Sequence, residues 1–200
     1  MSEIEGFILA GGASSRMGRD KSALALGGAT FVERVRRALS SIAPRVSVVS
    51  AREDQGDFGL PLVRDEYLGA GALGGLHAAL AACRAPWAAV VSCDLPFATP
   101  ELFARLASLA SEGFDAVAPT QPDGRPQPLC ALYGARASLA AARRLLDAGE
   151  LRPRVLLREL RTRRVAFAEL SDLPRAELFF TNVNTPEEYE QAKARMKAEG

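Results

Sequence analysis

Apolar positions along this chain follow two alternating patterns. Short runs that are apolar throughout, GFILA at 6–10 and the start of WAAVVSCD at 87–94, predict strands that are covered on both faces. Between such runs, apolar residues recur three and four positions apart, most clearly at 31–42, where Thr30 and Glu33 form a capping-box pattern. Strands that alternate with helices predict a three-layer, doubly wound α/β fold. Its central sheet should be mostly parallel, with one antiparallel strand late in the sheet.

The same two patterns predict the remaining elements. Further strands are expected at RVSVVS (45–50), PLVRD (61–65), DAVAP (115–119), PLCALY (128–133), RVAFAE (164–169) and LFFTNV (178–183). Further helices are expected at 76–83, behind a glycine-containing loop, at 100–110, 135–147 and 153–160, and from 186 onward. Thr99 with Pro100 and Thr185 with Pro186 are typical of helix starts.

Length and composition limit the classes of protein to which the chain can belong. Its 200 residues, 48% of them apolar, suffice for one buried core, and no repeat or linker divides them, so we expect one domain over residues 1–200. The 25 basic and 24 acidic residues leave a net charge of +1, which provides no field to hold nucleic acid or an anionic membrane. The chain contains neither an export signal nor an apolar run near the roughly 20 residues of a membrane span. We therefore expect a cytoplasmic protein that captures anionic ligands locally.

The segment LAGGASSRMGRDK at 9–21 has the composition of a phosphate-binding loop. Gly11 and Gly12 follow the first strand, where the absence of side chains lets backbone N–H groups approach a polyphosphate closely. Arg16 and Lys21 supply positive charge, and Lys21 is the only lysine among the first 192 residues. The spacing matches neither the Walker loop nor GxGxxG. These residues therefore form a different kind of phosphate loop or, as the alternative, a surface turn.

Polar residues also follow other predicted strands, namely Ser50, Asp65, Asp94, Asn182 and Asn184. Ligands bind beyond the carboxyl ends of the strands in such sheets, so these residues should converge at one edge. Asp94 could hold magnesium together with substrate phosphates, and Asp65 could be a second ligand or a base or ribose contact. Each aspartate by itself is equally consistent with a turn or a helix cap. The two asparagines are expected to share one face of a strand, where they would serve a polar heterocycle or a phosphate, or else a cap.

The chain offers few groups for nucleophilic or general-base catalysis. Its single histidine, His77, lies in an alanine-rich predicted helix, where packing or exposure to solvent is the expected role. Three cysteines in apolar surroundings, Cys83, Cys93 and Cys130, predict reduced and chemically silent thiols. A reaction whose nucleophile is already an anion, such as a phosphate that attacks a nucleoside triphosphate, requires only positioning, a metal ion and cations. Transfer at the α-phosphorus is therefore reasonable, and these residues alone leave transfer at the γ-phosphorus open.

Four segments of this chain, LAGGASSRMGRDK, VVSCDLPF, QPLCALY and NVNTPEEY, resemble in this order the MobA-like molybdenum cofactor guanylyltransferases. The resemblance covers almost the whole chain. It implies a Rossmann-like nucleotidyltransferase fold and the transfer of GMP from GTP to Mo-molybdopterin, with Mg²⁺ as cofactor and pyrophosphate as the second product. The partners that it implies are GTP, Mo-molybdopterin and proteins that deliver molybdopterin or mature molybdoenzymes.

Carried over by position, the resemblance assigns roles to individual residues. It implies that Arg16, Lys21 and Asp94 act in catalysis, that Asp94 holds the metal, and that Asn182 and Asn184 lie on the pterin side. The nucleotide would contact Leu9, Ala10, Gly11, Gly12, Arg16, Lys21, Ser50, Asp65, Gly75 and Asp94.

The chain departs from the family pattern at two places. Ser50 stands where the family often has asparagine, and the glycine loop at 71–75 lacks the family's proline. Related cytidylyltransferases more usually read LAAG where this chain reads LAGG, and this difference favours the guanylyl group. A cytidylyl- or sugar-phosphate nucleotidyltransferase and a non-catalytic nucleotide- or cofactor-binding module are the alternative hypotheses.

Overall fold

A seven-stranded sheet forms the centre of the protein. The computed structural model describes residues 3–10, 24–51, 58–67, 69–111 and 113–198. The strands are β1 (Ile4–Leu9), β2 (Ala25–Leu26), β3 (Ala29–Thr30), β4 (Arg45–Ser50), β5 (Leu62–Arg64), β6 (Trp87–Ser92), β7 (Ala116–Pro119), β8 (Cys130–Gly134) and β9 (Thr162–Val165). The large sheet has the order β5-β4-β1-β6-β8-β7-β9, and β2 pairs with β3 in a separate hairpin. Only β8 runs antiparallel to its neighbours in the large sheet, which confirms the predicted fold class.

Helices cover both faces of this sheet. They are α1 (Phe31–Leu39), α2 (Gly71–Ala82), α3 (Pro100–Ser108), α4 (Ala135–Asp147), α5 (Pro153–Glu159) and α6 (Pro186–Ala198). Alternation along β1 explains the three layers, because Ile8 packs with the core under α1 and α3, whereas Phe7 and Leu9 pack under α2, α4 and α5. None of the helices in the described ranges combines the length and the apolar character that crossing a bilayer requires.

Side-chain caps start the helices where the sequence predicts. The Thr30 hydroxyl accepts from the Glu33 amide at 3.2 Å, and the Glu33 carboxylate accepts from the Thr30 amide at 2.7 Å. At the start of α3 the Thr99 hydroxyl accepts from the Leu102 amide at 3.4 Å, and Pro100 is the first residue of the helix. The helices at 135–147 and 153–159 also agree with prediction, whereas α1 ends at Leu39, three residues earlier than the pattern suggests.

Two glycine-containing segments differ from the prediction. The segment at 71–75, expected to be a loop, is the first part of α2. Burial of Leu73 and Leu76 offsets the low helix propensity of its glycines, roughly 1 kcal/mol each relative to alanine. The hairpin β2–β3 was not predicted. Its turn consists of Gly27 and Gly28 with φ of 59° and 79°, and a glycine pair between apolar residues is the signal that would have found it.

Two late strand predictions need correction. In RVAFAE the strand ends at Val165, because a short 3₁₀ turn at Phe167–Glu169 follows, and the Glu169 carboxylate accepts from the Ala166 amide at 2.8 Å. LFFTNV forms no strand. The amides of Phe179 and Thr181 donate to carbonyls three residues earlier, at 3.2 and 2.9 Å, so a neighbouring strand cannot use them.

Candidate functional site

The carboxyl ends of the adjacent strands β4, β1 and β6 meet at one edge of the sheet. The Ala10 amide donates to the Val49 carbonyl at 2.9 Å, and the Cys93 amide donates to the Leu9 carbonyl at 3.0 Å. Leu9 and Ala10 therefore lie between the ends of β4 and β6. The segment that follows them in sequence is the glycine-rich loop.

Backbone hydrogen bonds continue this edge in both directions. On one side the Asp65 amide donates to the Ser50 carbonyl at 3.1 Å, and on the other the Val183 amide donates to the Asp94 carbonyl at 3.0 Å. We call the row of residues thus aligned, Asp65, Ser50, Ala10, Asp94 and Val183, the site edge. The structure thereby brings together residues from five separate parts of the sequence.

Asp94 lies in the turn directly after β6. Its side chain is half-buried, and its Oδ1 atom is buried. A half-buried carboxylate at the end of a parallel strand suits a hard cation that takes one or two protein oxygens and completes its shell with phosphates and water. Within the described ranges, no three or more His, Cys, Asp or Glu side chains cluster into a metal centre of their own. Asp94 therefore fits the role of one oxygen ligand to a hard divalent cation.

The asparagines reach the site edge in a way that the sequence did not predict. They do not share a strand, since Thr181–Asn184 has no regular structure. Instead the buried Val183 anchors the segment to Asp94, which leaves Asn182 exposed and Asn184 half-buried on either side. The reciprocal bonds between Thr185 and Glu188, at 3.1 and 3.2 Å, then start α6 directly after them.

Asp65 lies against the first turns of α2. Its Oδ1 atom accepts from the Tyr67 amide at 3.0 Å, and burial raises the pKa of the carboxyl despite this bond. A Cβ atom at Gly74 would lie 3.1 Å from both carboxylate oxygens, closer than side chains normally approach. At Gly75 a Cβ atom would make ordinary contacts, 3.9 Å from Oδ2 of Asp65 and 3.7 Å from Leu9. Gly74, which was not among the predicted site residues, is therefore the glycine that leaves space for Asp65.

Ser50 is the other polar residue on this side of the site edge. It ends β4 and is only 2% exposed, and its carbonyl is the one that holds Asp65. The phosphate-loop residues Gly11, Gly12, Arg16 and Lys21 lie outside the described residues, so their roles stay predictions. The described chain resumes at Leu24, whose carbonyl accepts from the Phe31 amide at 3.0 Å.

The remaining titratable candidates do not suit base or nucleophilic catalysis. Burial lowers the pKa of His77, whose ring packs edge-on against Tyr67 with centroids 4.8 Å apart. Burial also raises the pKa of Cys83 to about 11 and of Cys130 to about 12, so both thiols are protonated at neutral pH. The chemistry that these described residues support is positioning and charge stabilisation.

Comparison with known proteins shows similarity over nearly the full length. The model of the MobA-like NTP transferase domain matches residues 6–165. A probable molybdenum cofactor guanylyltransferase from Pelotomaculum thermopropionicum is 36% identical over 200 residues, which cover 100% of this chain and 95% of that protein. Another protein of that name, from Geobacillus, is 33% identical over 196 residues and covers 95% and 98% of the two chains.

Solved structures of other proteins are also similar to this chain. The crystal structure of molybdopterin-guanine dinucleotide biosynthesis protein A from Archaeoglobus fulgidus superposes with a TM-score of 0.81 at 25% identity, covering 97% of this chain and 99% of that chain. A 2-C-methyl-D-erythritol 4-phosphate cytidylyltransferase from Thermus thermophilus gives a TM-score of 0.70 at 17% identity, over 96% and 98% of the chains. The second likeness concerns the fold alone.

Proposed function

Because this chain belongs to the MobA-like NTP transferase family, we propose that it transfers GMP from GTP to Mo-molybdopterin, with pyrophosphate as the second product. The observation that carries this proposal is the site edge, where Asp65, Ser50, Ala10 and Asp94 are aligned beside the start of the glycine-rich loop. One domain over residues 1–200 would perform the reaction. The free thiols at Cys83, Cys93 and Cys130 support a reducing compartment, the cytoplasm.

The site edge supports a division of roles along its length. Asp65, Ser50 and Gly75 lie at the end that would receive the nucleoside, and Asn182 and Asn184 lie beyond Asp94 at the end that would receive the pterin. Leu9 and Ala10 lie between these ends, and Gly11, Gly12, Arg16 and Lys21 would surround the phosphates. Asp94 would hold Mg²⁺, which offsets the negative charge of the phosphates when bound.

The proposed reaction is a displacement at the α-phosphorus of GTP. A terminal phosphate oxygen of Mo-molybdopterin forms a new bond to the α-phosphorus. At the same time the bond between the α-phosphorus and the oxygen that bridges it to the β-phosphorus breaks, and this bridging oxygen leaves as part of pyrophosphate. The nucleophile is already an anion, so no proton has to be removed from it, which agrees with the poor bases available among the described residues. The residues of this chain bind and orient the two substrates and exclude competing water.

A comparison of nucleotides and acceptors tests this function directly. Pyrophosphate release is measured with purified protein, magnesium and Mo-molybdopterin, with GTP, CTP or ATP, and again with sugar phosphates as acceptor. We expect release with GTP and Mo-molybdopterin only. Release with CTP and none with GTP would show a cytidylyltransferase, and release with none of them would show a non-catalytic binding module.

Replacing Asp65 with asparagine should have different effects on the free energy of unfolding and on the kinetics with GTP. Burial raises the pKa of Asp65, so the Asp65 carboxyl group stays protonated to a higher pH in the folded protein than in the unfolded chain. The free energy of unfolding that this group contributes is therefore largest below its ordinary pKa and falls as pH rises through the raised value. Asp65→Asn stays neutral, and its stability relative to wild type should increase between about pH 4 and about pH 7. Its kcat/KM for GTP should fall about ten- to a hundredfold, because a charged hydrogen bond to the nucleotide is lost.

Chemical denaturation at both pH values and steady-state kinetics measure these two effects. Asp123→Asn, in an exposed turn where Asp123 pairs with Arg125 at 2.6 Å, is the matched control and should leave kcat/KM unchanged. An Asp65→Asn protein with normal kinetics would remove Asp65 from the nucleotide site.

The adjacent glycines of α2 should respond differently to alanine. Gly74→Ala would push a methyl group against the Asp65 carboxylate, so we expect the KM for GTP to rise several-fold. Gly75→Ala meets only ordinary protein contacts and should stabilise the helix by roughly 0.5–1 kcal/mol, and its KM should rise less than that of Gly74→Ala because the Asp65 carboxylate keeps its place. Thermal unfolding and GTP kinetics of the two variants test this. Equal KM values would show that displacement of Asp65 does not affect the nucleotide.

A further inference from the structure

Arg34, on α1, connects three segments, one of which is the turn that follows Asp94. Its Nε atom donates to the Pro96 carbonyl at 2.9 Å, its Nη1 atom donates to the Leu26 carbonyl at 3.3 Å, and its Nη2 atom lies 3.6 Å from the Met196 sulfur. Pro96 is two residues beyond Asp94, Leu26 belongs to the β2–β3 hairpin, and Met196 belongs to α6. One half-buried guanidinium thus holds elements that are far apart in sequence.

These elements share a small apolar core, separate from the two cores on the faces of the sheet. We call it the third core. It consists of Leu26, Phe31, Phe97, Leu178, Val183 and Ala192, with Leu24, Tyr189 and Met196 packed against it. Val183 links it to Asp94 through the backbone bond at the site edge. The third core therefore joins the turn after Asp94, the asparagine segment, and the hairpin that follows the glycine-rich loop.

The hairpin turn packs tightly against Met196 and is in contact with Arg34. A Cβ atom at Gly27 would lie 2.8 Å from the Met196 methyl group and 3.6 Å from Nη1 of Arg34. The φ of 59° at Gly27 is one that glycine adopts without strain. Arg34 is thus enclosed by the hairpin, the turn after Asp94 and α6, and its planar fork reaches two carbonyls in a fixed geometry that a lysine ammonium cannot reproduce.

We propose that Arg34 is a positioning residue, which holds the turn that carries Asp94 in place relative to the hairpin behind the glycine-rich loop. Arg34 contacts neither substrate in this role and acts through the backbone of Pro96 and Leu26. A displacement of reacting groups by about 1 Å can cost a hundredfold in rate, so a fixed distance between these two segments matters for catalysis. The inference rests on the proposed function, because it takes Asp94 as the metal ligand and the glycine-rich loop as the phosphate site.

The test compares Arg34→Met and Arg34→Lys with Arg37→Met, an exposed position one turn further along α1. In Arg34→Met we expect kcat to fall about ten- to a hundredfold and the half-saturating magnesium concentration to rise about tenfold. At saturating magnesium its KM for GTP should stay within about threefold of wild type, because the nucleoside end of the site edge does not contact Arg34. Arg34→Lys should recover part of kcat, and Arg37→Met should match wild type.

Amide hydrogen exchange provides a second readout that does not depend on turnover. The Val183 amide, bonded to the Asp94 carbonyl, should exchange faster in Arg34→Met than in wild type. The Val48 amide, bonded to the Pro61 carbonyl at 2.9 Å in another part of the sheet, should be unchanged. If circular dichroism shows that Arg34→Met does not fold, Arg34→Lys provides the test of the proposal. We then expect smaller changes, in the same directions, in kcat, in the half-saturating magnesium concentration and in the exchange rate of the Val183 amide.

Unchanged kcat, magnesium dependence and Val183 exchange would overturn the inference, even if the melting temperature falls, because Arg34 would then only stabilise the fold. Failure of the proposed function looks different, since wild type itself would release no pyrophosphate from GTP. In that case the exchange measurement still tests Arg34, and the kinetic comparison is made with the nucleotide that the protein turns over.

Discussion

Replacing Asp94 with alanine is expected to reduce guanylyl transfer by roughly 10³-fold or more, the largest effect of any single change considered. The carboxylate, half-buried directly after β6, is the described group best placed to hold the metal that offsets charge on the phosphates. The fold should survive. The bond that Asp94 makes to Val183 uses its backbone carbonyl, which alanine retains, and removal of a half-buried charge also removes its cost of desolvation.

Pyrophosphate release at several magnesium concentrations measures this effect, with circular dichroism and thermal unfolding to establish that the variant is folded. Asp172→Ala is the matched control, because Asp172 is an exposed aspartate that pairs with Arg105 at 2.8 Å. Turnover close to wild type in Asp94→Ala would mean that the metal site has been misassigned.

Replacing Lys21 with alanine should lower kcat/KM by about 10²–10³-fold, which we expect to be the second largest effect. In the glycine-rich loop a lysine provides a compact charge on a thin stem, suited to a crowded phosphate pocket. Lys21→Arg should restore only part of the activity, since the wider, planar guanidinium does not occupy the same space. Folding should be little affected in either variant.

The same kinetic assay and thermal unfolding test this prediction. Lys193→Ala is the control, because Lys193 is a partly exposed residue of α6 that pairs with Glu190 at 2.7 Å. A large loss of stability in Lys21→Ala together with normal activity would instead support a structural role for Lys21.

Local signals predicted most of the regular structure correctly. The Thr30–Glu33 and Thr185–Glu188 pairs start their helices through bonds between neighbours in sequence, so no distant residue is needed to produce them. Continuously apolar runs became β1 and β6 because a strand between two layers of helices buries both its faces. Where such a run failed, at LFFTNV, its apolar side chains are buried as expected, but turn hydrogen bonds rather than a sheet satisfy the backbone.

The sequence predicted which polar residues lie at the strand ends, and it left their arrangement incomplete. That Ser50, Asp65 and Asp94 meet at one edge follows from the rule for parallel sheets, and the structure has them there. Gly74 was missed because its importance depends on where the Asp65 carboxylate lies, nine positions earlier in the chain. Arg34 was missed because an arginine on the polar face of a helix looks like any solvated charge until its contacts with Pro96, Leu26 and Met196 are seen.

The sequence by itself thus determined the alternation of strands and helices, the caps and the chemical groups available at the strand ends, because each depends on residues within a few positions. Only the tertiary structure decided which of these groups are neighbours. It joined Asp94 to Val183, placed Asp65 against Gly74, and enclosed Arg34 between a hairpin, a turn and α6. The physical reason is that such contacts form when distant segments pack around a common core, and their geometry depends on the whole packing rather than on any local pattern.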